Sequence, residues 1–302
     1  MTIQISEFAD KHIPIIIRLL NEEYSNSYDF IPFNEERIRS QIRRRDLKIL
    51  VAEENGDALG LVATYAEERS EENIFWLAAR KGQNQGTIEN VLVNEIEKNV
   101  KGDTISTTID DGSPRIRDWT KRGYTLELGF LRMFAKLDGA KPIPKVSEGI
   151  KIRSLRLNEE EKLVAVVNTG FGWQRLESGI LENWKSEDPP FNENWVQVAE
   201  FNNRILSAVV ARPDTDYIKY LHLQRGYLGP AVTLPEFRNK HLASALTARA
   251  MNFLFEKRMN SVRLGTSEQN TSSITLLRSL GFQVGIVRKI MRKKLKISEQ
   301  KH

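Results

Sequence analysis

The stretch from Gly226 to Lys257, GYLGPAVTLPEFRNKHLASALTARAMNFLFEK, constrains the fold more than any other part of the chain. Its apolar run, Leu228 to Leu234, ends at Pro235, which has no amide hydrogen to continue a ladder, so a strand ends there. Leu242, Ala245, Leu246, Ala250, Phe253 and Leu254 recur at helical spacing and predict an amphipathic helix over His241 to Arg258. Arg238, Asn239, Lys240 and His241 make a basic turn between the two. A helix start carries unpaired amide hydrogens and the positive end of the macrodipole, so such a turn suits a pyrophosphate. A solvated basic helix start with no ligand accounts for the same residues.

A second segment follows at the right distance. Val262 to Thr266 reads as a short strand, 267–270 as a turn, and Ser272 to Leu280 as a helix closed by Gly281 and Phe282. Together, PEFRNKHLA (Pro235 to Ala243) and this strand-Asn-helix-Gly-Phe order resemble the GCN5-related N-acetyltransferases (GNAT), whose signature is R/Q-x-x-G-x-G/A. Arg238 and Ala243 match, and His241 stands where the first glycine would be. The resemblance covers about residues 149 to 297.

That resemblance implies an α/β chain, with a mixed twisted sheet flanked by helices, and acetyl-coenzyme A as cosubstrate. Carried over by position, the backbone of Val232, Thr233 and Leu234 holds the pantetheine and the thioester oxygen. The pyrophosphate falls to Arg238, Asn239, Lys240, His241, Leu242 and Ala243, and Asn270 lies near the adenine and pantetheine arms. A side chain at His241 is tolerated if φ is negative there. Many relatives place a Tyr four residues before the Gly of the Gly-Phe pair as general acid; here that position is Leu277. Glu268, Tyr227 and His222 are the candidates to replace it, each with a purely structural role as its alternative, and a water molecule is a further candidate for the base.

The chain of 302 residues has room for two cores. Cysteine is absent, which excludes disulfides, thiolate nucleophiles and cysteine metal sites. His12, His222, His241 and His302 lack metal-ligand spacing, and no G-x-S-x-G, P-loop or G-x-G-x-x-G motif occurs. No apolar run approaches membrane-spanning length, and Met1 to Glu7 lack a signal pattern, so a soluble cytoplasmic protein is expected.

The first half contains what reads as a degenerate copy of the second. DGSPRIRDWTKRGY (Asp111 to Tyr124) aligns without a gap on QNTSSITLLRSLGF (Gln269 to Phe282), pairing Ile116 with Ile274 and Trp119 with Leu277. Upstream, Gln83 to Ile88, QNQGTI, partly matches Q-x-x-G-x-G, with Ile at the last small position. Residues 138–148, which with Gly149 hold two prolines and two glycines, read as the linker, giving a degenerate domain over 1–137 and an acetyltransferase domain over 149–302. An Asn-Gly step at Asn55 and Gly56 predicts a hairpin between Leu47 to Glu53 and Ala58 to Tyr65. A second hairpin is expected around Phe201 to Asn203. Asn158 is the expected N-cap of a helix over Glu159 to Thr169, a turn and helix run from Phe171 to Trp184, and Ile218 to Leu223 is a short unassigned run.

Charge divides unevenly: residues 1–137 carry 19 basic and 23 acidic side chains, and 149–302 carry 24 and 15. Val284 to Met291 reads as the last strand, and Arg288, Lys289, Arg292, Lys293, Lys294 and Lys296 make up a basic tail, read as solvated. The sequence thus supports an acetyl-CoA dependent N-acetyltransferase acting on a small-molecule or peptide amine, in which the amine attacks the thioester directly. A catalytically inactive CoA-binding or regulatory module of the same fold is the alternative. Nucleic-acid binding through Arg37 to Arg45 and the tail is a third reading, with strong salt dependence as its signature. Nothing in the sequence sets the oligomeric state.

Overall fold

The computed structural model describes residues 2–67, 71–100 and 102–295. They form two compact units, the first comprising 1–130 and 286–302, the second 131–285. Each is built around a mixed sheet with helices packed on it.

In chain order the first unit contains β1 (Gln4–Glu7), α1 (Ile13–Tyr24), α2 (Glu35–Arg45), β2 (Lys48–Glu54), β3 (Asp57–Glu67), β4 (Glu71–Ala79), α3 (Gln85–Asn99), β5 (Thr104–Asp110) and α4 (Arg115–Lys121). Then β6 (Thr125–Lys136) carries the chain into the second unit. There follow β7 (Lys151–Ser154), α5 (Glu160–Phe171), α6 (Ile180–Glu187), β8 (Val196–Phe201), β9 (Arg204–Pro213), α7 (Thr215–Leu221), β10 (Arg225–Thr233), α8 (Leu242–Glu256), β11 (Ser261–Ser267), α9 (Thr271–Ser279) and β12 (Gln283–Lys294).

The first unit's strands run β1-β2-β3-β4-β5-β12 and the second's β7-β8-β9-β10-β11-β6. In both, the first four strands are antiparallel and the fourth and fifth are parallel. The order is the same, but the sixth strands are exchanged: Ile286–Lys294 completes the first unit and Leu131–Lys136 the second.

Side chains alternate across the first sheet as a strand period of two requires. On β3, Leu61 and Ala63 pack with Ile16, Leu20, Ile38 and Trp76, whereas Val62 packs with Leu92, Ile105, Trp119 and Met291. Met291, on β12, is fully buried. β12 thus contains the expected last strand and runs on through the basic tail as far as Lys294, and three of the tail's cations are matched within the first unit rather than solvated. Arg288 pairs with Asp110 at 3.0 Å, Arg292 with Glu71 and Glu127 at 2.8 and 3.0 Å, and Lys293 with Glu97 at 2.6 Å. Lys296 lies outside the described residues.

Other differences are local. Asn158 has φ +63, and Glu159 occupies the position before α5 without a side-chain cap. Residues 173–179 are loop before α6, and the run after Asp214 is helix α7, ending at Leu221. Both expected hairpins form, with left-handed Asn55 and Gly56 in one and Asn202 and Asn203 in the other. No helix among the described residues is long and apolar enough to cross a membrane.

An ion network ties the first elements of the second unit together. Arg153 on β7 donates to both oxygens of Glu159 at 2.7 and 2.9 Å and also to Glu200 on β8. Burial alone raises the Glu159 pKa, but the Arg153 hydrogen bonds and the amide of Arg156 outweigh it and hold the carboxyl at about 2. A folded-state pKa below the unfolded value gives stability that is present above the ordinary carboxylate range and lost as pH falls toward the folded pKa. The second unit's melting temperature is therefore expected to fall between about pH 4.3 and pH 2. Glu159→Gln should flatten that slope in a thermal melt series, and an unchanged slope contradicts the assignment.

Candidate functional site

The site is built where two parallel strands part. β10 pairs with β9 along Gly226 to Thr233, but with β11 only through Tyr227, which lies opposite Arg263. Among the described residues, β10 from Leu228 to Thr233 has no strand register on its β11 side. At the same place the ladder with β9 carries a bulge between Leu228 and Ala231, containing Gly229 and Pro230, which increases the local twist of β10. Backbone groups on that edge are left to accept another partner.

Beyond β10, Pro235–Phe237 form one 3-10 turn, Arg238 is extended, and Asn239 and His241 are left-handed, with φ of +62 and +59. α8 then starts at Leu242. Leu242, Ala243 and Ser244 are its first turn, whose amide hydrogens have no intrahelical acceptor. The positive φ at His241 is where a glycine would sit without strain; a histidine there costs about 1–2 kcal/mol. The condition under which a side chain is free of strain there, a negative φ, is not met, and the turn closes before α8 through a left-handed residue.

Arg238 faces back toward the sheet. Its Nη2 donates to Gly170 O at 3.1 Å and its Nε to Thr233 O at 3.4 Å, joining the turn to the C-terminal end of α5 and the end of β10. α5 lies directly on β10 here, since a Cβ on Gly170 would fall 2.1 Å from Val232 Cγ2. Ser207 on β9 donates to Val232 O at 2.7 Å and meets Thr233 Oγ1 at 2.8 Å. Val232 and Leu234 bury their side chains, so it is their backbone that is available to a ligand.

Tyr227 stands at the fork. Its hydroxyl is 3.0 Å from where a Cβ on Gly229 would be, so the phenol reaches the bulge. Guanidiniums flank its ring, Arg212 at 5.2 Å and Arg263 at 5.0 Å. Arg212 also lies over Trp184 of α6 at 5.1 Å and donates to Asp188 at 3.0 Å. Arg263 and Arg225 both donate to the buried Asp214, at 2.5 and 2.7 Å. Burial raises the Asp214 pKa, but the hydrogen bonds and charges of these two arginines prevail and hold it below its ordinary value. The network fixes the ring at the point where the strands diverge.

The remaining candidates sit elsewhere. His222 is exposed, left-handed, and closes α7 through its own amide. Glu268 is half-buried in the turn after β11. Asn270 caps α9, its Oδ1 accepting from Ser273 N at 3.1 Å. Leu277, on α9, is buried. Sequence reasoning missed Arg212, Asp214, Arg263 and Gly170. They carry no local motif, because they lie on β9, after it, on β11 and on α5 and meet β10 only across the packed unit.

The Acetyltransferase (GNAT) family matches residues 155–282. The mycothiol acetyltransferase of Kocuria rhizophila is 22% identical over 269 residues, covering 83% of this chain and 86% of that protein. Among solved structures, a tandem GNAT protein from the clavulanic acid biosynthesis pathway superposes with a TM-score of 0.73 at 13% identity, over 99% of this chain and all of that one. A GCN5-related glucosamine N-acetyltransferase region of a fungal multi-domain GH3 β-N-acetylglucosaminidase gives 0.78 at 13% identity; the match covers 97% of this chain and only 38% of that one. The family model thus matches the part of the chain that holds the forked strands and the helix start beside them, and the solved structures show that the whole chain shares the fold of GNAT proteins, a tandem one among them.

Proposed function

We propose that the second unit transfers the acetyl group of acetyl-coenzyme A to the primary amine of a small polar acceptor. The observation that carries this is the parting of β10 from β11 directly before the open start of α8. In this reading the first-turn amides of α8, from Leu242 onward, with Asn239 to His241 leading into them, take the pyrophosphate. The freed edge of β10, through Val232, Thr233 and Leu234, orients the pantetheine and polarises the thioester carbonyl. Arg238 holds the turn in place through Gly170 O and Thr233 O rather than acting as a lone phosphate ligand.

The neutral amine attacks the thioester carbonyl carbon, a C–N bond forms, the C–S bond breaks, and the amine loses a proton. Tyr227 supplies a proton to the departing thiolate, the role left open by Leu277, and a water molecule accepts the proton from the amine. His222, Glu268 and Asn270 are then structural. The name of one relative makes glucosamine the first acceptor to try. A cytoplasmic location fits a consumer of acetyl-coenzyme A.

Retention of cofactor binding without turnover is the second reading, and buried Leu277 favours it. A thiol-release assay with acetyl-coenzyme A and a panel of glucosamine, other amino sugars, free amino acids and lysine peptides separates the two. Acceptor-dependent release with any amine supports the enzyme; tight binding with no release across the panel supports the inactive module.

A further inference from the structure

The first unit repeats the fork, and what fills it is its own chain. β4 pairs with β5 only through Ile74, opposite Thr107, although β4 continues to Ala79. In the stretch beyond, the N–H of Leu77 donates to the phenol oxygen of Tyr24 at 3.2 Å. A strand amide past the fork is thus engaged by a side chain of α1. The turn is also altered. Gly86, at the position matching His241, is helical, because α3 begins at Gln85 and absorbs the residues that form the left-handed turn in the second unit.

Next to that helix start is a cavity of about 800 Å³ lined by Glu23, Gly86, Glu89, Asn90, Arg115 and Arg122 among others. Glu89 follows Ile88 as Ser244 follows Ala243, and it is 3% exposed. Its carboxylate accepts from Gln85 Nε2 at 3.2 Å, Arg115 Nη2 at 3.0 Å and Arg122 Nη2 at 2.8 Å. Arg115 reaches Glu23 as well, and Arg122 Nε donates to Asn90 at 2.8 Å. Arg122 is nine-tenths buried, and its Nη1 has no hydrogen-bond partner among the described residues. Two guanidiniums beside a helix start are an anion site by charge and geometry. Here the anions are Glu89 and Glu23.

We propose that the ligand position of the first unit is occupied in cis by Glu89 and Glu23, with Tyr24 on the strand amide. The chain therefore holds one acetyl-coenzyme A, in the second unit, and Glu89 masks a latent site for pyrophosphate-class anions. Removing the Glu89 charge leaves Arg115 and Arg122 with a single carboxylate, so an external anion replaces the missing one. The count of one rests on the proposed function of the second unit; the latent site does not.

The test is calorimetric, on the full chain. Acetyl-coenzyme A is expected to bind wild type with a stoichiometry of one and to lose that binding in Ala243→Glu, which sets a carboxylate in the first turn of α8. Inorganic pyrophosphate is expected to bind Glu89→Ser with one more site than wild type, at least 100-fold tighter than any first-unit binding in wild type. Two sites in wild type, or one site that survives Ala243→Glu, overturns the proposal. So does a Glu89→Ser protein with native circular dichroism and no added pyrophosphate site. Where Glu89→Ser does not fold, the isosteric Glu89→Gln takes its place and the wild-type stoichiometry still decides. No binding to wild type sinks the second-unit reading, and the pyrophosphate arm then judges the latent site alone.

Discussion

Tyr227→Phe is expected to lower kcat about 100-fold, the lower end of what a positioned general acid contributes, with acetyl-coenzyme A affinity changed less than about threefold. The substitution removes one oxygen and keeps the ring between Arg212 and Arg263, so the cation–π packing at 5.2 and 5.0 Å is retained. Asp214, Arg225 and Arg263 are untouched, and the fold of the fork is preserved. A phenol that protonates the leaving thiolate also sets the alkaline limb of the pH–rate profile, which Tyr227→Phe should abolish. Rate and profile together separate chemistry from packing. A structural role moves stability and KM but leaves the limb in place. Unchanged kcat with the limb intact contradicts the assignment.

Deleting residues 286–302 is expected to unfold the first unit while the second retains a cooperative transition. The deletion removes the strand paired with β5 from Arg288 opposite Asp110 to Lys294 opposite Thr104. It also removes buried Met291 from the core shared by Val62, Leu92 and Trp119. Loss of Met291 alone costs about 2–5 kcal/mol. Glu71, Glu97 and Asp110 lose their cations at the same time. The sum approaches the whole stability of a small domain. Limited proteolysis should then cut within 1–130 and spare 138–285. A first unit that stays resistant shows that β12 is dispensable. By the same exchange, a fragment of 149–302 lacks Leu131–Lys136 and leaves the second sheet without its sixth strand.

What could be read from the residues followed the strength of the local signal. The strand-turn-helix from β10 to α8 was legible because Pro235 and the spacing of Leu242, Ala245 and Leu246 are local constraints. So were the Asn-rich hairpin turns, which need left-handed residues. β12 was legible as a strand over Val284 to Met291, but its ion pairs were not, since Arg288, Arg292 and Lys293 read as solvated until their carboxylate partners, 165 or more residues away in sequence, fold against it. No propensity records that pairing. The strand exchange was invisible for the same reason: β6 and β12 look like any strand that ends a repeat. At the fork, Tyr227 was legible as a candidate, but the arginines around it were not, because Arg212 and Arg263 lie on β9 and β11 and meet only across the sheet. The match of Gly86 to the turn motif failed because the surrounding residues continue the helix.

The most direct measurement is calorimetric titration of acetyl-coenzyme A into the intact chain and into Ala243→Glu. The account predicts micromolar binding to the intact chain, weakened at least 100-fold by a carboxylate among the first-turn amides of α8. Equal affinity in the two proteins contradicts it, since the cofactor would then lie away from the helix start on which the account depends.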